Sequence, residues 1–244
     1  MKFSRIIANS GEWLSGDGPN RQIVVSSRVR LARNLSKKPF PGWAKKAERL
    51  EVVKLVKDAV EHLPEMSESY SENLETLSSL EKQVLVERHL ISREHAAKGV
   101  GSAVVMNAPQ SLSVMINEED HLRVQVLRPG WHLRGTWNLA EQLDDALAAA
   151  LPLAFSERLG YLTACPTNVG TGLRASAMVH LPGLCLAGQM DKVTRALNQD
   201  GLAVRGWLGE GTEAAGNIYQ VSNQQTLGLA EEDILKHLGF WIKH

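Results

Sequence analysis

The sequence has little of what marks secreted, membrane or nucleic-acid-binding proteins. Only two cysteines occur in 244 residues, too few for a disulfide framework. No apolar run approaches the roughly 20 residues that span a bilayer, and the N-terminus lacks the apolar core of a secretory signal. Basic and acidic residues number 27 each, so no overall field favours nucleic acid or an anionic membrane. We therefore expect a cytoplasmic protein with neither nucleic-acid nor membrane partners.

Two common nucleotide-binding motifs are also missing. The chain contains no GxxxxGK[ST] loop and no GxGxxG segment after a strand. Its eight histidines show no metal-ligand spacing, so no protein-bound metal is predicted. What is present, 43% hydrophobic and 22% charged residues, is typical of a globular protein with a sizeable core.

Hydrophobic patterning predicts an α+β fold. Short β-type runs predict strands at 22–27, 102–107, 111–117, 121–127, 173–181 and 218–223. Helical spacing predicts helices at 43–63, 78–87, 137–159 (kinked or split at Pro152), 189–200 and from about 230. Polar turns between the strands favour antiparallel pairing, so we expect an antiparallel sheet flanked by helices. Residues 1–20 read as an irregular lead-in to one domain at 21–244.

Arginines recur at strand ends, beside glycine-rich or polar turns. These positions are Arg28 and Arg30 in "SSRVR", Arg123 in "EEDHLR", Arg174 in "GTGLRAS" and Arg205 in "VRGWLGEGTE". The two-residue period of a strand places Arg123 on the face opposite to Leu122 and Val124. A single arginine is most often solvated or in a surface ion pair. A converging set needs an anion, and the guanidinium fork matches phosphate oxygens. A polyphosphate ligand is predicted.

Carboxylates accompany two of these segments. Glu118, Glu119 and Asp120 precede Arg123, and Glu210 and Glu213 follow Arg205. The ordinary interpretation is a solvated acidic turn. Alternatively, paired carboxylates clamp a guanidinium, which is a poor nucleophile because its pKa exceeds about 12, and assist in removing its proton.

One cysteine and two histidines are weaker candidates. Cys165 in "ACPTNVGTG" fits either a packing residue, which is the commoner case, or a thiolate that contacts a bound cation. His89 and His121 are candidates for the wall of a nucleotide site.

Four blocks carry a family resemblance: "SSRVRLARN", "NEEDHLR", "CPTNVGTGLRAS" and "RGWLGEGTEAAGNIYQVSN". They resemble the signature blocks of the ATP:guanido phosphotransferases (phosphagen kinases), in the family's order, and the similarity runs from about residue 10 to 236. The resemblance implies a guanido kinase or glutamine synthetase-like catalytic domain that binds Mg-ATP. It also implies in-line transfer of the γ-phosphoryl group to a guanidinium nitrogen, and it is strongest to the bacterial branch that phosphorylates arginine in proteins.

The resemblance assigns roles position by position. Glu119 and Glu213 match the carboxylates that hold the acceptor guanidinium, and Cys165 matches the cysteine beside it. Mg²⁺ is implied to be held mainly through the nucleotide phosphates. The implied nucleotide contacts are Ser26, Ser27, Arg28, Val29, Arg30, His89, Arg123, Arg174, Ala175, Ser176, Ala177, Met178, Arg205, Gly206, Trp207, Leu208, Gly209 and Glu210.

Three departures refine the expectation. The chain lacks the N-terminal helical domain of the small-molecule kinases, which favours a protein-borne arginine as substrate. Leu208 stands where those kinases carry an arginine, and the chain stops at His244, before the C-terminal phosphoarginine-binding domain of the protein-kinase branch. The implied partners are arginine-bearing proteins, an activator protein, a Clp protease system in protein quality control, and a second copy in a homodimer. A kinase for a small guanidino compound and a non-catalytic module binding nucleotide or phosphoarginine remain the alternatives.

Overall fold

A computed structural model describes residues 1–206 and 215–244. The strands are β1 (Val24–Arg33), β2 (Tyr70–Asn73), β3 (Ala103–Met106), β4 (Leu112–Ile116), β5 (Leu122–Pro129), β6 (Phe155–Ser156), β7 (Gly160–Tyr161), β8 (Leu173–His180), β9 (Leu202–Gly206) and β10 (Ile218–Asn223). The helices are α1 (Phe3–Ala8), α2 (Glu12–Ser15), α3 (Lys46–Glu61), α4 (Ser79–Glu87), α5 (Arg93–Ala96), α6 (Leu133–Ala150), α7 (Pro182–Leu186), α8 (Met190–Gln199) and α9 (Glu231–Lys243). Within the two described ranges, no helix is long and apolar enough to cross a membrane.

The strands form one large antiparallel sheet, which confirms the predicted α+β class. Its order is β2-β3-β4-β5-β1-β8-β10-β9, and β6 pairs with β7 in a separate hairpin. The central strand β1 pairs with β5 on one side and with β8 on the other. In this register Arg30 lies opposite Gln125 of β5 and opposite Arg174 of β8. Side chains of directly opposed residues share a face, so these three project to the same side of the sheet.

The other face of the sheet carries the main hydrophobic core. Helices α3, α6 and α9 pack against it through residues such as Val56, Leu143 and Leu238, which belong to one hydrophobic cluster with Leu31 and Val124 of the sheet. Burial of each such side chain contributes roughly 1.5–3 kcal/mol. The predicted alternation in β5 is therefore correct, and this rigid layer fixes where the polar residues of the opposite face point.

A smaller cluster covers part of that opposite face. It joins residues of β2, β3, β4 and α4, among them Tyr70, Met106, Met115 and Leu85. This cluster lies over the β2–β4 half of the sheet. The half formed by β5, β1, β8, β10 and β9 carries the polar side chains of the site described below.

The predicted helix at 137–159 is wrong at both ends. Helix α6 begins at Leu133 and ends at Ala150, and Leu151 is already extended with φ −127° and ψ 139°. The residue before a proline is disfavoured in the helical conformation, so Pro152 ends the helix instead of kinking it. The remaining residues pass into the β6–β7 hairpin.

The lead-in that was expected to be irregular, and one segment for which no strand was predicted, both have regular structure. The lead-in contains α1 and α2, and Arg88 and Gln110 both donate hydrogen bonds to the carbonyls of Ile6 and Asn9. Residues Tyr70–Asn73 form the edge strand β2. This strand cannot be predicted from its polar sequence, because only Tyr70 is fully buried and the other three side chains are half-buried.

Candidate active site

Arginines from four strands line one cavity. Arg28 and Arg30 come from β1, Arg123 from β5, Arg174 from β8 and Arg205 from β9. The cavity has a volume of about 1030 Å³. The structure thus brings together the arginines that the sequence spreads over 178 positions, from residue 28 to residue 205.

Burial and like-charge repulsion disfavour the charged form of the arginines in this cluster. Burial, followed by repulsion from Arg123, Arg174 and Arg205, lowers the pKa of Arg28 to about 10. Burial is also the main cause that lowers the pKa of Arg30, and Arg28 is the strongest of the repelling neighbours. Among the described residues, the buried Nε of Arg30 has no hydrogen-bond partner. An anion in the cavity would supply that partner and offset the repulsion.

Part of the cluster is held in place by neutral side chains. Arg28 donates from Nη2 to Oε1 of Gln220 at 2.5 Å and from Nε to the hydroxyl of Ser176 at 3.4 Å. Gln125 donates from Nε2 to the carbonyl of His89 at 2.6 Å. These amides orient their neighbours without neutralising the positive charge, so the cavity stays cationic.

Two of the three acids before β5, Glu118 and Asp120, are buried and not solvated. Glu118 is 2% exposed, and its Oε1 accepts a hydrogen bond from Nη1 of Arg123 at 2.6 Å and another from the hydroxyl of Ser92. Glu119 is exposed, with 46% of its side chain accessible, and lies on the cavity lining with its Oε2 3.4 Å from Nη2 of Arg123. Glu118 therefore aims Arg123, while Glu119 faces the cavity. Burial raises the pKa of Glu119.

Asp120 supports the segment that carries Cys165. Its Oδ1 accepts hydrogen bonds from Nδ2 of Asn34 and from the backbone N–H of Ala164, both at 2.6 Å. Burial raises the pKa of this carboxyl. Cys165 follows directly, lines the cavity together with Glu119, and has Sγ at 3.0 Å from the hydroxyl oxygen of Thr167.

His89 also lines the cavity and has the left-handed backbone φ of 55°. Its ring meets the indole of Trp13 edge-on, with centroids 5.3 Å apart. Burial and the charges of Arg28 and Arg30 lower the pKa of His89 to about 3, so the ring is neutral near pH 7. A neutral, partly apolar wall suits the base of a nucleotide better than its phosphates.

His121 lies outside the cavity lining. Its Nδ1 accepts from the backbone N–H of Leu35 at 3.0 Å, and its Nε2 lies 3.0 Å from the carbonyl of Pro39. With Nδ1 accepting, the ring proton lies on Nε2 and is donated to Pro39. His121 therefore ties the start of β5 to the chain after β1 and is no part of a nucleotide wall.

The remaining predicted binding residues have other surroundings. The side chains of Val29, Ala175 and Ala177 lie in the core on the helical face. Ser27 bonds to Gly130, and Met178 packs with Trp13. Ser26 is buried, and Gly206 ends β9. None of these seven lines the cavity in the described part of the chain. The predicted residues Trp207, Leu208, Gly209, Glu210 and Glu213 lie outside the described residues.

Several lining residues were not singled out from the sequence. Gln125 shares the face of Arg123 by the period of two, which was a usable signal. Ser92, Gln220, Phe40 and Trp43 had no such signal, because their segments lie far apart in the chain and are joined only by the fold.

Comparison with known proteins places these features in a family. Residues 51–244 match the model of the "ATP:guanido phosphotransferase, C-terminal catalytic domain". A protein-arginine kinase of Halothermothrix orenii is 51% identical over 94% of this chain and 66% of its own length. One from Geobacillus stearothermophilus is 49% identical over 98% of this chain and 66% of its own length. The chain thus spans about two thirds of the length of these curated relatives.

Solved structures of guanidino kinases have the same fold as this chain. A taurocyamine kinase of Schistosoma mansoni, with bound components of a transition-state analogue, superposes with a TM-score of 0.84 at 25% identity, covering 93% of this chain and 33% of that chain. A lombricine kinase superposes with a TM-score of 0.81 at 26% identity, covering 94% of this chain and 67% of that chain.

Proposed function

The chain belongs to the ATP:guanido phosphotransferase family, and from that premise we propose that it is the catalytic domain of a protein-arginine kinase. The proposed reaction is ATP + L-arginyl-protein → ADP + N-phospho-L-arginyl-protein. The observation that carries it is the joint lining of one cavity by the five arginines, by Glu119 and by Cys165. The naming of the curated relatives as protein-arginine kinases supports the acceptor.

The cavity fits the phosphates of ATP. Its volume is large enough for a nucleotide together with part of an acceptor. The unpartnered Nε of Arg30 and the mutual repulsion of the arginines both call for an anion. When bound, Mg-ATP supplies the phosphoryl group, with Mg²⁺ held mainly through the phosphates. The described residues contain no group of three or more His, Cys, Asp or Glu that could hold a metal ion.

The proposed chemistry is mostly positioning and charge neutralisation. The arginines bind the phosphate oxygens and stabilise the charge on the transferring group. Glu119 accepts N–H groups of the acceptor guanidinium and takes up its proton as the N–P bond forms and the P–O bond to ADP breaks. Its raised pKa makes it a better proton acceptor than an ordinary glutamate. Glu213 is proposed as the second carboxylate and Cys165 as a further contact to the guanidinium.

A phosphoryl-transfer assay with Mg-ATP tests the proposal. An unfolded arginine-rich protein and free L-arginine serve as parallel acceptors, and acid-labile phosphate is the readout. Label on the protein alone is expected. Label on free arginine would identify a small-molecule guanidino kinase instead. Measurable ATP binding with no transfer to either acceptor would favour a non-catalytic binding module.

Two substitutions separate an enzyme from a binding module. Glu119→Gln and Glu213→Gln are each expected to lower transfer by about 100-fold or more while nucleotide binding stays within about twofold, because both act on the acceptor and not on the phosphates. If both variants transferred phosphate like the wild type, the assignment of the carboxylates would be wrong. Arginine-bearing proteins are the proposed partners. A cytoplasmic setting, an activator protein, a Clp protease system and a homodimer are proposals supported by the family resemblance alone.

A further inference from the structure

Trp43 is a highly exposed tryptophan on the lining of the site. Its side chain is 88% exposed, and it lines the same cavity as Glu119 and Cys165. Phe40 and Gly42 of the same turn line this cavity as well. The cavity that holds the proposed acceptor residues therefore opens onto an aromatic surface that nothing in the proposed chemistry requires.

The turn that presents Trp43 is firmly built. The carbonyl of Phe40 accepts from the backbone N–H groups of Trp43 at 2.9 Å and of Ala44 at 3.0 Å. On one side His121 donates to Pro39, and on the other Arg49 donates to the carbonyl of Ala44 at 2.9 Å. The indole is thus held out in water by a fixed backbone, which is the arrangement of an aromatic anchor at an interface.

Positive charge flanks this turn. The segment 37–46 reads "KKPFPGWAKK", with four lysines and no acid. Lys38 pairs with Glu51 at 2.6 Å. Lys45 and Lys46 stand at the N-terminus of α3, where the helix dipole disfavours a cation by roughly 0.3–1 kcal/mol each. Local helix energetics do not explain these two lysines, whereas an acidic ligand would.

We propose that Phe40, Trp43, Lys45 and Lys46, together called the Trp43 surface, bind the polypeptide on either side of the acceptor arginine. This deepens the proposed function, on which it rests, by naming what the enzyme recognises in its substrate. The favoured acceptor is an extended segment with an apolar side chain next to the arginine, which packs on Trp43, and acidic residues beyond it, which meet the lysines. Free arginine has neither feature.

Solvent exposure of an apolar side chain does not by itself identify an interface. Leu186 is 90% exposed and lies outside the lining of the cavity among the described residues. Leu186→Ala is therefore a matched control for the removal of exposed apolar surface. What distinguishes Trp43 is its place on the lining and its basic flanks.

The test uses fluorescein-labelled peptides of equal length, each with one arginine. The first carries leucine beside the arginine and aspartate beyond, the second replaces the leucines by serine, and the third replaces the aspartates by lysine. Binding is measured by anisotropy and transfer by kcat/KM, with the wild type, Trp43→Ala, Lys45→Gln/Lys46→Gln and Leu186→Ala.

The wild type and Leu186→Ala are expected to favour the first peptide about tenfold over the second. Trp43→Ala should no longer distinguish the first peptide from the second. Lys45→Gln/Lys46→Gln should no longer favour the first peptide over the third. A preference that Trp43→Ala retains, or no detectable peptide binding to the wild type, would overturn the inference. Binding that depends on Trp43 but leads to no transfer would leave the surface in place and overturn the proposed function. Transfer to the peptides that is independent of Trp43 would leave the proposed function in place and overturn the inference about the Trp43 surface.

Discussion

Arg30 of β1 and Arg174 of β8 occupy directly opposite positions in the antiparallel register, at the middle of the sheet. Like charges at such positions destabilise a sheet. Burial, followed by repulsion from Arg28, Arg123 and Arg174, lowers the pKa of Arg30. The fold thus keeps a cluster of cations whose repulsion an anionic ligand would relieve, and this gives opposite expectations for two arginines of the same strand.

Replacement of Arg30 by methionine should weaken ATP binding and leave the fold intact. A charge-assisted hydrogen bond contributes about 1.5–3 kcal/mol, so we expect a loss of about 10- to 100-fold in ATP affinity by calorimetry. The free energy of unfolding without nucleotide should be unchanged or higher, because repulsion is relieved. A variant that binds ATP like the wild type would remove Arg30 from the phosphate site.

Replacement of Arg33 by methionine should act on stability alone. Arg33 is 2% exposed, binds both carboxylate oxygens of Asp144 at 2.7–2.8 Å, and lies 3.4 Å over the ring of Tyr161. Removing one partner of a buried ion pair costs roughly 3–5 kcal/mol. Urea unfolding should show a loss of that size, and the double variant with Asp144→Leu should recover part of it. A single variant within about 1 kcal/mol of the wild type would contradict this account.

The sequence was most informative where residue types follow a strict period. The period of two located the cavity face of β5, because Leu122, Val124 and Val126 alternate cleanly with Arg123 and Gln125. The antiparallel sheet followed from strands joined by short polar turns. β2 escaped prediction because it is an edge strand with a single buried side chain.

The contacts inside the site could not be predicted, because they join distant segments through specific turns. Asn117 adopts the left-handed φ of 56°, and the reversal that follows brings Glu118 back against Arg123. Ser92 reaches the same carboxylate from 26 positions earlier. Spacing alone does not encode such contacts, and it gave Glu118 the interpretation of a solvated acid.

Glu118 and Glu119 are neighbours with separable roles. Glu118→Gln should raise the KM for ATP about tenfold or more, since Arg123 loses its charged partner. Glu119→Gln should lower kcat with little change in the KM for ATP. Because burial raises the pKa of Glu119 in the substrate-free protein, the acid limb of the wild-type kcat/KM profile should lie above the ordinary glutamate value of about 4.3. Equal effects of both variants on KM and kcat would refute the separation.

Asp120 is expected to act on the reaction through Cys165. Asp120→Ala releases the N–H of Ala164 and the amide of Asn34, which should lower the free energy of unfolding by about 1–3 kcal/mol. The loosened segment should lower kcat and raise the alkylation rate of Cys165 by iodoacetamide, with ATP affinity unchanged. Asp120→Asn keeps an oxygen acceptor and should retain most of the activity. If Cys165 in Asp120→Ala were alkylated at the same rate as in the wild type, Asp120 would not position Cys165.

Stability should fall as the pH drops below about 6.5, because burial lowers the pKa of three histidines, His89, His95 and His121. Burial is the main cause that lowers the pKa of His89 to about 3 and of His95 to about 4. The unfolded chain therefore binds more protons below the ordinary value of 6.5, and the folded state loses stability as the pH falls towards 4. At pH 5.5 His89 and His95 should each lower the free energy of unfolding by about 1.4 kcal/mol relative to pH 7.5.

His95→Gln isolates one of these contributions. His95 lies outside the cavity lining of the described chain and donates from Nε2 to the carbonyl of Ala103 at 2.9 Å, a bond that a glutamine amide can replace. Urea unfolding at pH 7.5 and 5.5 gives the pH-dependent loss for each protein, whatever its absolute stability. The loss should be smaller in the variant by about 1.4 kcal/mol, since glutamine has no proton to bind. An equal loss in both proteins would mean that His95 is protonated in the folded state at pH 5.5.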